Sequence, residues 1–151
     1  MDYDETAAVN HLIEILKDGE LGFTAAAEDA TDPDLKASLL QYADQRSDYA
    51  EALQGMIEEA GEKAEYAGTL AGTLHRGWIN LKSAVASRDD LAILEECERG
   101  EDIAVSAYNV ALAGDQLEFT RPVIEEQSAH IQTAHNHIRT LRDALTSTAA
   151  V

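Results

Sequence analysis

The sequence predicts an all-α protein built as an up-and-down four-helix bundle, and three observations carry that prediction. Apolar residues recur at alternating three- and four-residue steps through four separate stretches, the spacing that lays one stripe along a helix. Composition is that of helix: 45% hydrophobic, only 5% aromatic, and two prolines in 151 residues. Punctuation falls between the stretches, at Asp32-Pro33, Gly61, Ser87-Arg88-Asp89-Asp90, Gly114 and Pro122. This length suits a single domain, 1–151, with a real core.

The first helix is expected over about 4–30, with Val9, Leu12, Leu16, Gly19, Phe23, Ala26 and Ala30 along its seam. Asp32 suits the N-cap of the next helix and Pro33 its first turn. That second helix, about 33–60, runs through Leu35, Leu39, Tyr42, Arg46, Tyr49, Leu53, Met56 and Ala60, and Gly61 ends it. The third is expected over about 88–113, from the capping-box pattern at Ser87 to Gly114. Its seam is Leu94, Cys97, Glu101, Ala104, Tyr108 and Ala111. The fourth, about 122–145, carries Ile124, Gln127, Ile131, Ala134, Ile138, Leu141 and Leu145, leaving 146–151 as a frayed tail.

Short turns make the first and second helices one antiparallel hairpin and the third and fourth another. The 61–86 connection between them is long for a linker, and a long crossover between two helical hairpins is the connectivity of ferritin-like bundles. A short crossover helix is expected over about 70–85, with Leu70, Leu74, Gly77, Trp78, Leu81 and Val85 on one stripe. Two readings of that stripe stand open. It covers the side or end of the bundle, or Trp78, with Leu74 and Leu81, anchors a protein partner or a second copy. Asp18-Gly19-Glu20 in the first hairpin shares two residues with Arg99-Gly100-Glu101 in the second, a faint likeness of the kind an ancient duplication would leave.

Eleven basic against 29 acidic residues give a net charge of −18, which argues against nucleic acid and anionic membrane surfaces as partners. The acidity reads first as solvated helix faces. No apolar run reaches membrane-span length, and the start, Met1-Asp2-Tyr3-Asp4-Glu5, is acidic rather than signal-like, so a cytoplasmic protein is expected. Cys97 is alone and cannot build a disulfide framework or a cysteine zinc site. No nucleophile stands beside a base and no glycine-rich phosphate loop precedes a helix, so a non-enzymatic role is favoured.

Arg46 is the anomaly, a guanidinium in an otherwise apolar seam, and Glu101 is its opposite in the third helix. Counting back from the turns puts Glu20, Arg46, Glu101 and His135 at one level, with Gln127 two turns away. Buried charge is costly unless paired, so one reading has Arg46 bind Glu101 in two-point fashion and reach Glu20. The other makes Glu20, Glu101 and His135 a degenerate iron or manganese site serving an oxidase or a metal store. Di-metal bundles, however, use Glu-x-x-His on two helices, and this chain has none. His130, His135 and His137 otherwise read as helix-surface histidines, and His11 and His75 have no evident partners.

Several stretches resemble a known family. Ile15-Leu16-Lys17-Asp18-Gly19-Glu20-Leu21-Gly22-Phe23, Leu74-His75-Arg76-Gly77-Trp78-Ile79-Asn80-Leu81-Lys82, Cys97-Glu98-Arg99-Gly100-Glu101-Asp102 and Ala134-His135-Asn136-His137-Ile138-Arg139 are its signatures. They are similar to a bacterial family of small ferritin-like four-helix bundles catalogued as a domain of unknown function. The resemblance implies a ferritin-like fold, a distant kinship with rubrerythrin-like di-iron proteins, and a stress-related role. Laid on the di-iron pattern, Leu16 stands at the first-helix Glu, and Arg46 and Tyr49 at the second-helix Glu and His. Those departures favour no cofactor, with action through helix–helix contacts, as a homo-oligomer or with a protein partner.

Overall fold

Asp2 starts the first helix by accepting a hydrogen bond from the Glu5 amide at 2.8 Å, satisfying a donor that a helix N-terminus leaves open. In the computed structural model, which describes residues 1–63 and 78–149, this helix is α1, Tyr3–Asp29. Asp32 caps α2, Pro33–Glu59, through the Asp34 amide at 2.9 Å, with Pro33 in the first turn as expected. Gly61, at φ +80°, ends α2. Its amide reaches Glu58 O and the Glu62 amide reaches Ile57 O, both at 3.0 Å, the paired closure that a left-handed glycine permits.

After the long connection come α3, Leu81–Ser87, then α4, Asp90–Ala113, and α5, Arg121–Ala149. The described residues contain no strand, so the predicted all-α class stands. None of their helices is long and apolar enough to cross a membrane.

Three boundaries differ from expectation. The predicted crossover helix at 70–85 falls partly on 64–77, outside the described residues, and Trp78 to Asn80 are not helical. Asn80 stands at the N-cap of α3, a place where its short amide competes least with the helix. Ser87 closes α3 instead of opening α4: its hydroxyl donates back to Ala84 O at 2.7 Å, and Asp89 takes the N-cap through the Leu91 amide at 3.0 Å. The expected frayed tail is helical through Ala149.

α1 packs on α2, α4 on α5, and α1 on α4. Among the described residues the apolar interior falls into two clusters. One gathers Leu12, Leu16, Leu53, Ile57, Tyr108, Ile124 and Ile131. The other gathers Phe23, Ala26, Leu39, Trp78, Leu94, Cys97 and Ile138. Arg46 and Glu101 lie between them in the chain order of their helices, after Leu39 and before Leu53, after Cys97 and before Tyr108.

Carboxylates tie the ends together. Glu5 of α1, 2% exposed, accepts at Oε1 from the Phe119 and Thr120 amides, each at 2.8 Å, and from the Thr120 hydroxyl at 2.9 Å, just before α5 begins. Asp90 of α4 accepts from the Thr31 amide and hydroxyl and from the Asp32 amide, at 2.8, 2.9 and 3.0 Å, in the α1–α2 turn. Arg121 donates to Leu112 O and Gly114 O, carbonyls that the end of α4 exposes, and to Leu117 O in the turn that follows.

Candidate functional site

The helical period that lines up the α2 seam turns Arg46 fully inward, 1% exposed, and the α4 seam does the same for Glu101, 0% exposed. Their side chains meet fork to fork: Nη1 donates to Oε1, and Nη2 to Oε2 at 2.7 Å. Nε donates to the neighbouring Gln45 Oε1 at 3.2 Å. The guanidinium also lies 5.2 Å from the centre of the Phe23 ring, a cation–π distance. Burial by itself would lower the Arg46 pKa, but the Glu101 charge and its hydrogen bonds reverse the sign and leave it raised. Arg46 therefore keeps its charge while matched two-point to the Glu101 carboxylate in the buried interior.

Glu20 is not part of this layer, contrary to expectation. Its side chain is 31% exposed and lies 4.0 Å from Lys17 Nζ. At about 100° per residue, the seam position belongs to Gly19, and Glu20 is carried round toward solvent. A Cβ on Gly19 would meet the Arg46 stem at 3.4 Å, so the absence of a side chain there leaves room for the arginine. His135 is 4% exposed yet turns to the α4 flank, where Nε2 lies 2.6 Å from Asp102 Oδ1. Gln127 accepts the Tyr108 hydroxyl at 2.7 Å and reaches Tyr49 O at 3.4 Å.

Glu20, Glu101 and His135 thus point to three different partners. Among the described residues no group of three or more His, Cys, Asp or Glu is placed to hold a metal ion. The residues do not fit a di-iron or di-manganese site: both Glu101 oxygens are taken by a guanidinium, whose charge repels a divalent cation.

Trp78 is 3% exposed and lies between two helices. A Cβ on Gly22 of α1 would come within 2.6 Å of Cε2 and Cε3 of the indole, and one on Gly100 of α4 within 2.7 Å of Nε1 and Cζ2. The ring fills a slot that only glycines leave open. The expected partner surface is corrected accordingly: Trp78 and Leu81, 6% exposed, are covered by the chain's own helices, and Leu74 lies outside the described residues. Burial pushes the Cys97 thiol well above its usual range, with Glu101 and Glu96 adding to it.

Other contacts had no sequence signal. Tyr42 Oη and His137 Nδ1 are 2.5 Å apart across 95 residues. Glu98, with a 12% exposed side chain, takes Arg142 at 2.8 Å and Arg139 at 3.5 Å across the α4–α5 seam. The interior glycines were the available clue to the slot, because a helix tolerates them at a cost that close packing can justify.

Residues 4–114 match a family described as a domain of unknown function (DUF2383), a span covering α1 through α4. No curated protein matches the chain.

Proposed function

This chain belongs to the DUF2383 family of unknown function, and from its own residues we propose a non-enzymatic bundle that works through helix–helix contacts. In this proposal the fold is the ferritin-like four-helix bundle, bacterial and cytoplasmic, with a charge pair where metal-bearing relatives of that fold hold ions. The observation that carries it is the two-point Arg46–Glu101 bridge, buried midway along α2 and α4. A stress-related role rests on the family resemblance alone.

The contact face belongs on the outer side of α1 and α4. There Ile103, 40% exposed, and Val110, 70% exposed, stand one above the other with Ala107 between them. With His11, Ile15 and Ser106 they line a shallow groove of about 280 Å³. Among the described residues no carboxylate lines it, on a chain of net charge −18. Two copies repel elsewhere and meet at least electrostatic cost on this face, so a second copy in two-fold pairing is its occupant.

Light scattering coupled to size exclusion tests the contact reading. A concentration-dependent dimer that Val110→Glu abolishes supports it, and a monomer at every concentration overturns self-association. Metal analysis after anaerobic incubation with iron(II) tests the rest. One or two irons per chain, lost in Glu101→Ala, would restore the oxidase or storage reading.

A further inference from the structure

A line of rings leads from the core to solvent. Trp78 meets Phe23 edge-on with centroids 5.1 Å apart, Phe23 meets Tyr42 at 5.7 Å, and Tyr42 meets His137 at 6.0 Å. Trp78 is buried, Tyr42 half-buried and His137 exposed. At the outer end Tyr42 Oη lies 2.5 Å from His137 Nδ1. With the imidazole proton on Nε2, the phenol donates to Nδ1, so a base is already hydrogen-bonded to the proton that a phenol must lose on oxidation.

From this geometry we propose that Tyr42 and His137 form a proton-coupled one-electron redox site, fed by Trp78, that moves oxidising equivalents from the core to the surface. It is independent of the contact role above. An outer-sphere one-electron oxidant, such as a photogenerated ruthenium(III) polypyridyl complex, removes one electron and is reduced to ruthenium(II). A hole formed on Trp78 is filled by an electron from Tyr42 across Phe23. As Tyr42 gives up that electron, its hydroxyl proton passes to His137 Nδ1. The products are neutral Trp78, a neutral Tyr42 phenoxyl radical and an imidazolium able to release its proton to water. Moving both particles together avoids the strongly acidic phenol radical cation.

The other described tyrosines lack this arrangement. Tyr108 donates to the Gln127 amide oxygen, which is not a useful base. Tyr3 is 85% exposed, and neither it nor Tyr49 joins the line of rings among the described residues. Burial raises the Tyr42 pKa, Glu101 adds to this and Arg46 opposes it, so the phenol keeps its proton at neutral pH until it is oxidised.

Flash photolysis of the full chain with that ruthenium complex, followed by freeze-quench EPR, tests the proposal. A Tyr3→Phe/Tyr66→Phe background removes the exposed Tyr3 and a tyrosine outside the described residues. In that background we expect a tyrosyl radical that Tyr42→Phe eliminates, with a longer-lived Trp78 radical in its place. His137→Gln, at an exposed position that spares the fold, should slow tyrosyl formation about a hundredfold, the scale of a lost general base. A tyrosyl signal undiminished in Tyr42→Phe, an unchanged Trp78 radical lifetime there, or an unchanged rate in His137→Gln would overturn it.

Discussion

Replacing Arg46 with Met removes the charge while keeping a long, flexible stem in the seam. Glu101, 0% exposed, then loses both charge-assisted hydrogen bonds and has no water to replace them. Stranding one member of such a pair costs about 3–5 kcal/mol. Against a total of about 5–15 kcal/mol for a domain, that is a large fraction. At roughly 2–4 °C per kcal/mol for a chain of this size, the melting temperature should fall by about 6–20 °C. Glu101→Leu should cost a similar amount by leaving the guanidinium alone. The double variant, Arg46→Met with Glu101→Leu, buries neither charge and should return to within about 1–2 kcal/mol of the parent. Urea unfolding followed by far-ultraviolet circular dichroism gives all four corners of the cycle. If the double variant loses as much as the sum of the singles, the two side chains are not coupled and the buried-bridge account fails.

Three further outcomes follow from other contacts. Gly100→Ala puts a methyl into the Trp78 ring and should destabilise by about 1–3 kcal/mol while shifting emission of the sole tryptophan to the red; an unmoved spectrum would mean the indole is not seated there. Glu5→Ala leaves the Phe119 and Thr120 donors without their carboxylate and should cost about 2–3 kcal/mol, with hydrogen exchange accelerated at the start of α5. Alkaline stability is set by groups whose folded pKa is raised, Cys97 and Tyr108 by burial above all. Their contribution is complete below the unfolded values, 9.0 and 10.0, and is lost as pH climbs from there toward the folded ones. Stability should hold to about pH 8.5 and then fall by up to about 1.4 kcal/mol per pH unit per group, and Cys97→Ala should flatten the first part of that decline.

The long helices were legible because period and caps agree locally. Asp32-Pro33 and Gly61 fix the ends of α2 by backbone rules that need no tertiary partner. Arg46 and Glu101 were legible because each breaks an apolar seam, and a buried charge demands an opposite one. Glu20 was misplaced by counting level without angle: two residues at one height on a helix can differ by 100° in direction. Trp78 remained open between two readings because its cover comes from Gly22 of α1 and Gly100 of α4, both distant in the chain. The Tyr42–His137 contact was invisible for the same reason, since side chains 95 residues apart leave no local pattern.

The two end carboxylates act reciprocally. The first helix of one hairpin holds the turn of the other, Glu5 on 119–120, and the first helix of the second returns the hold, Asp90 on 31–32. Either hairpin alone would keep a carboxylate with nothing to grip and a turn with open donors. Each hairpin thus completes the hydrogen bonding at the other's turn, and the ends of the bundle close only when both are present.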